Sequence, residues 1–368
     1  MALELLVRLI FFVAGASLVV RTMLSAVRAF VLPRASNDSL ARPVFRLSRR
    51  LFDIVASPAR PYLFRDRILA YYAPVTLIVV LIYWIVLVAL GYSAMFWALG
   101  VRTMAEAVNL SGSSVLTLGF ASSPLPGASL LSFSEAILGL ILIALLISYL
   151  PTIYGAFSRR ELLVDLLEVR ADTPPSAVVL LTRFERLSGL DALHEMWERW
   201  EQWFSELGET HTALPVLVFY RSPKPEHSWV NAAGAIMDTA ALARSALDLP
   251  VDIQADLTIR AGYLALRRIA DFFNVRYDPN PRQTDPTSIG RDRFDEVLAV
   301  LAAAGVALKP DRDQAWRDFN GWRVNYDTVL VALTRLTMAP PSWWDRPMVS
   351  AYATDEPELR DIAVATPG

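Results

Sequence analysis

The chain has 368 residues, of which 54% are hydrophobic, and its net charge is −2. This composition is too apolar for an ordinary soluble domain and predicts a protein that lies partly in lipid and partly in water. The chain contains no cysteine, which excludes disulfides, thiolate metal sites and cysteine nucleophiles.

Residues 1–32 form an apolar stretch that is interrupted by Arg8, Arg21 and Arg28. Arginine side chains can extend along such a stretch and place their charge at the membrane surface. We therefore expect either a membrane-spanning helix or a helix that lies in the membrane interface.

Residues 33–67 carry eight Arg and three Asp, a net charge of +5. Basic flanks of membrane helices stay in the cytoplasm, so this stretch is predicted to be a basic cytoplasmic linker. Binding of anionic lipid headgroups is the alternative to a pure topology signal. Residues 158–368 have the opposite character, with a net charge of −8.

Two long segments carry no charge: Ile68–Val101 has 34 residues and Ala136–Ser158 has 23. A membrane-spanning helix needs roughly 20 apolar residues, so both are long enough. The first should run outward from the basic linker, and the second should return to the cytoplasm and end at Arg159 and Arg160. Residues 68–160 are therefore predicted to form one membrane domain, with an external loop between the spans.

The second span contains Gly139 and Pro151. Proline removes a backbone hydrogen bond and kinks a helix, which makes the two residues candidates for a gating hinge. The alternative is that they have no special role, because Gly and Pro are common in membrane helices.

The loop between the spans contains the run Thr117, Leu118, Gly119, Phe120 and Ala121. The first four of these residues resemble the start of T-V-G-Y-G, the filter signature of the potassium-channel superfamily. The resemblance covers about residues 68–160. It implies a homotetramer that conducts potassium or another monovalent cation through the backbone carbonyls of residues 117–120, with no cofactor besides the permeant ion. It also implies that Leu118 and Phe120 pack behind the filter.

Three positions depart from the family pattern, and one of them is Leu116, which stands where a threonine often precedes the filter. Ala121 stands where the family has its second glycine, and a Cβ atom there penalises positive φ. Ser122, at the expected outer mouth, stands where an aspartate is usual. These departures leave open whether the pore selects potassium or passes monovalent cations without selection.

The residues around this run are consistent with a pore loop. Thr103 and Glu106 have the spacing of a capping box, which predicts a helix from about Met104 to Val115 that points its C-terminal end at the pore axis. Glu135 is expected to begin the inner helix, where a carboxylate is favourable, and to attract cations to the outer mouth.

Residues 161–345 have the pattern of a soluble, mostly helical domain, and residues 346–368 form a tail. Trp197, Trp200 and Trp203 share a helical stripe that is typical of a core. The run 214–220 fits either a strand or a buried helical turn, and residues 319–333 predict one last long helix. The loop flanked by Tyr220, Arg221 and His227 leaves open an unidentified cytoplasmic ligand, although a plain connection is favoured.

Nothing in the sequence indicates an enzyme. The three histidines lack metal-ligand spacing, so we expect no metal site, and no G-x-S-x-G nucleophile elbow occurs. The acidic second half and the membrane segments argue against nucleic acid as a partner. The expected partners are membrane lipid and other copies of the same chain.

The sequence therefore predicts a mainly α fold: a membrane pore domain of outer helix, pore helix, filter loop and inner helix, an additional N-terminal apolar helix, and a soluble, mostly helical cytoplasmic domain. The expected location is a bacterial cell membrane, crossed several times, with the C-terminal domain in the cytoplasm. The expected function is a homotetrameric cation channel. The alternative is a membrane-anchored signalling or scaffold protein with a non-conducting pore.

Overall fold

The structure is a computed structural model that describes residues 2–30, 40–57, 59–187 and 189–345. The predicted tail 346–368 and the start of the predicted linker, 33–39, lie outside these residues. The chain divides into two compact units, the first made of Met1–Ser158 with Thr210–Arg221 and the second of Arg159–Glu209 with Ser222–Gly368. The prediction of a mainly helical fold is confirmed, since the described residues form thirteen α-helices and no β-strand.

The first unit begins with the helices α1 (Ala2–Phe30), α2 (Ala41–Val55), α3 (Tyr62–Ala70), α4 (Tyr72–Leu99), α5 (Met104–Val115) and α6 (Ala128–Ala171, which belongs to the second unit from Arg159 on). Three helical segments are long and apolar enough to cross a membrane, namely α1, the consecutive α3 and α4, and α6. The predicted basic linker contains two helices, α2 and α3, that the sequence interpretation did not predict. The many arginines of that stretch obscured an amphipathic helical pattern whose inner face includes the buried Ser48.

Helix α1 packs antiparallel along α4 through small residues. A Cβ atom added to Gly15 would lie 2.4 Å from the carbonyl oxygen of Gly91, so only glycine allows this approach. Small residues at such crossings are typical of helices that associate in membranes. Further along the pair, Nε1 of the buried Trp84 donates a hydrogen bond of 3.0 Å to Oγ of Ser25. The N-terminal helix is therefore part of the bundle core.

Helix α5 begins where the capping box predicted. Oγ1 of Thr103 accepts a hydrogen bond from the backbone N–H of Glu106 at 3.1 Å. The helix ends at Val115, and its residues Ala107 and Leu110 are buried in the core of the first unit. A short helix thus lies between two span-length helices along the chain.

The second unit contains the helices α7 (Ala177–Leu187), α8 (Leu193–Ala213, whose last turn belongs to the first unit), α9 (Trp229–Ser245), α10 (Ile253–Phe272), α11 (Arg291–Ala303), α12 (Arg312–Arg323) and α13 (Asp327–Thr337). The three tryptophans of α8 are buried, which confirms their assignment to the core.

The structure differs from the predicted last long helix and decides the conformation of the run 214–220. The predicted last long helix is wrong, because the chain turns between α12 and α13 and thereby brings the hydroxyl of Tyr326 to the buried Asp238 at 2.9 Å. The run that fitted either a strand or a helical turn is a short 3-10 helix, Pro215–Phe219, and it belongs to the first unit.

Candidate pore site

The loop after α5 starts by capping that helix. Thr117 has a φ of 55°, and Gly119 has a φ of 70°. The N–H of Thr117 donates to the carbonyl of Ser114 at 3.0 Å, and the N–H of Leu118 donates to the carbonyl of Ser113 at 2.9 Å. This pair of bonds is a Schellman motif, which satisfies the last carbonyls of a helix.

Ser113 holds the rest of the loop. Its carbonyl also accepts the N–H of Gly119 at 3.2 Å, and its Oγ accepts the N–H of Ala121 at 3.0 Å. Ser113 is itself buried, with 1% of its surface exposed. The sequence interpretation missed this residue. The signal was the polar run Ser111–Ser114 inside a helix that lies between two apolar spans.

The amides and the carbonyls of the loop have different surroundings. The amides of residues 118, 119 and 121 all donate to Ser113. In the described part of the chain, no hydrogen bond reaches the carbonyl oxygens of residues 117–120, and these residues are exposed. Carbonyl oxygens without a donor are the groups with which a protein can replace the hydration shell of a cation.

The two large apolar side chains of the loop are mostly exposed to solvent in a single chain. Leu118 is 61% exposed and Phe120 is 70% exposed. We expected both side chains to pack behind the filter. In a single chain both remain mostly exposed, so such packing would need contacts from outside that chain. Ala121 is half-buried, and Ser122 is exposed next to it.

Glu135 differs from its predicted role. Helix α6 begins at Ala128, so the expectation that Glu135 begins the inner helix is wrong. Its side chain is fully buried, and Oε1 lies 2.5 Å from Oγ of Ser111 in α5. The carboxyl group, expected at the outer mouth, is buried against α5 within the single chain.

Gly139 lies where α6 touches the end of α5. A Cβ atom at this position would lie 2.3 Å from the carbonyl oxygen of Val115. Gly139 therefore has a packing role that the hinge hypothesis did not include. Pro151 is exposed inside the same helix, which continues past it to Ala171.

A second group of chemically active side chains lies in the second unit. Asp165 and Glu168 of α6 meet His227, which precedes α9, and each residue offers a ligand atom within 4.8 Å of the others. The sequence interpretation predicted no metal site, since about 60 residues separate His227 from the two carboxylates. The available signal was the pair of acidic residues three positions apart on one helix.

Comparison of the chain with protein-family models, with curated proteins and with solved structures found no match.

Proposed function

We propose that four copies of this chain form a channel for monovalent cations, potassium among them. The observation that carries the proposal is the orientation of the loop after α5. Its amides are turned back to Ser113, and the carbonyl oxygens of residues 117–120 are left without hydrogen-bond donors among the described residues.

The physical argument starts from the cost of removing water from an ion. A selective pore replaces the water oxygens with rings of backbone carbonyls, and one loop per chain supplies one side of each ring. Four chains around an axis complete the rings. The C-terminal end of α5 carries partial negative charge, which favours a cation near the start of this loop.

Exposure of the loop side chains supports assembly. Leu118 and Phe120 are large apolar residues that are 61% and 70% exposed in the single chain. Apolar groups exposed together indicate a surface that another molecule covers. A neighbouring copy around the pore axis is the partner that the proposal names for them.

The remaining predicted site residues have roles within this proposal. Ser122 lies at the outer mouth, and Pro151 is the gating hinge candidate in the inner helix. Ala121 stands where the family pattern has its second glycine, so the selectivity between potassium and sodium has to be measured.

A membrane-anchored signalling or scaffold protein with a non-conducting pore is the second candidate. One observation favours it: Thr117 and Leu118 complete the cap of α5, so part of the loop has a structural role that requires no ion. The large second unit would then be the functional part of the chain.

Ion flux separates the two candidates. When purified protein is reconstituted into liposomes loaded with potassium, we expect a tracer cation to enter the liposomes through it. Parallel assays with potassium and with sodium measure the selectivity. Protein-free liposomes are the control. Absence of flux from correctly inserted protein would favour the scaffold.

The proposed topology places the loop outside the cell and the second unit inside. The chain has no cysteine, so single cysteines can be introduced without background. We expect Ser122→Cys, in the loop, to react with a membrane-impermeant maleimide on intact cells. Ser205→Cys, exposed on α8, should react only after permeabilisation. The reverse pattern would contradict the topology.

A further inference from the structure

The C-terminal part of α6 presents two carboxylates on one face. Asp165 and Glu168 are three residues apart, so their side chains are neighbours on the helix surface. His227 lies against both: its Nδ1 is 3.3 Å from Oδ1 of Asp165, and its Nε2 is 3.0 Å from Oε2 of Glu168. All three residues belong to the second unit.

The imidazole of His227 is more than nine-tenths buried, with 8% of the residue exposed. Its Nε2 is buried and has no hydrogen-bond partner among the described residues, although it lies beside the carboxylate of Glu168. A buried polar atom without a partner is costly unless a ligand satisfies it. The nitrogen lies 3.0 Å from Oε2 of Glu168, and the ligand atoms of His227, Asp165 and Glu168 all lie within 4.8 Å of one another.

The ammonium group of Lys224 lies close to both carboxylates. Its Nζ lies 2.5 Å from Oε2 of Glu168 and 3.5 Å from Oδ1 of Asp165. The lysine side chain is 55% exposed, so it can move into solvent without unfolding the surroundings. A positive charge already lies between the carboxylates, and it is held by a flexible side chain.

We propose that Asp165, Glu168 and His227 form a binding site for a divalent transition-metal ion, which Lys224 closes when no metal is bound. Two carboxylate oxygens and one imidazole nitrogen are ligands that Zn²⁺ accepts, and water completes its coordination. Binding exchanges the ammonium group for the metal ion and joins α6 to the segment before α9. The site does not depend on the proposed channel function.

Titration calorimetry of the full-length protein in detergent with ZnCl₂ tests the site. We expect saturable binding by the wild type and at least about a tenfold loss of affinity in both His227→Ala and Asp165→Asn. Asp165 has 61% of its side chain exposed, so the second variant is expected to fold normally. Lys224→Gln removes the competing ammonium group and is expected to bind Zn²⁺ more tightly.

His194→Ala is the matched control, because this exposed histidine of the same unit also lies near a carboxylate, 3.1 Å from Asp252. It should bind Zn²⁺ as the wild type does. Equal affinities in the wild type, His227→Ala and Asp165→Asn would overturn the proposal, as would a wild type without saturable binding. Calorimetry measures the heat of Zn²⁺ binding and not ion flux. The expected binding results are therefore the same whether or not the protein conducts ions.

Discussion

Asp238→Ala is expected to lower the free energy of unfolding by about 3–5 kcal/mol, because it breaks a buried ion pair on one side. Asp238 is fully buried on α9 and pairs with the guanidinium of Arg323, which is also buried. Its carboxylate further accepts hydrogen bonds from the hydroxyl of Tyr326 at 2.9 Å and from Nε1 of Trp344 at 2.6 Å.

The protonation states around Asp238 explain why its loss should be severe. Burial raises the pKa of Tyr326 well above its usual value, so the phenol stays a donor. Burial alone would lower the pKa of Arg323, but the nearby charge of Asp238 reverses this effect, and the pKa lies above the usual range. Without Asp238, Tyr326 and Trp344 lose their acceptor, and Arg323 keeps only Asp327 as a carboxylate partner at 2.8 Å.

Urea unfolding of the full-length protein in detergent, followed by tryptophan fluorescence, measures this effect. Glu195→Ala is the control, because Glu195 forms an exposed pair with Arg199 on α8. Exposed pairs contribute little, so the control should unfold as the wild type does. Equal midpoints for Asp238→Ala and Glu195→Ala would contradict the assignment of Asp238 to a stabilising core network.

Gly139→Ala is expected to displace α5 and to abolish the proposed ion flux. The added methyl carbon would lie 2.3 Å from the carbonyl oxygen of Val115, which is a backbone atom and cannot rotate away. Helices α5 and α6 must separate to relieve the contact, and overpacking of this kind costs about 1–3 kcal/mol per chain. The loop with residues 117–121 follows the C-terminal end of α5, which this contact displaces.

Gly112→Ala provides the matched control for this change. Gly112 also lies in a helix of the first unit, and a Cβ atom there would meet nothing within 4 Å. Alanine favours helix over glycine by about 0.5–1 kcal/mol, so this variant should be as stable as the wild type or more stable. Thermal unfolding and flux should distinguish the two variants. A Gly139→Ala protein that melts and conducts like Gly112→Ala would show that the two helices are not tightly packed.

The features that the sequence predicted correctly depend on neighbouring residues along the chain. The lengths of the apolar segments predicted α4 and α6, and the spacing of Thr103 and Glu106 predicted the start of α5. Helix formation and capping are decided within a few residues, so such patterns are visible without a structure.

The features that it missed depend on contacts between distant residues. Glu135 was assigned from its position just before the uncharged run 136–158, but its environment is set by Ser111 on another helix. Ser113 acts on residues up to eight positions later, through a loop conformation that no periodic pattern encodes. His227 meets Asp165 only because the second unit folds them together.

The central claim is that the carbonyls of residues 117–120 line the path of the ion, and potassium flux through two glycine variants tests it most directly. Gly119 and Gly305 both have positive φ, 70° and 89°, and a Cβ atom at either position would meet nothing within 4 Å. Alanine should therefore introduce a similar strain, about 1–2 kcal/mol, at both positions.

Only Gly119 lies in the proposed filter, whereas Gly305 belongs to the second unit. In liposomes, the wild type and Gly305→Ala are expected to conduct potassium, and Gly119→Ala is expected to lose the flux while its unfolding midpoint stays close to that of Gly305→Ala. Full potassium flux through Gly119→Ala, or no flux through the wild type, would contradict the account.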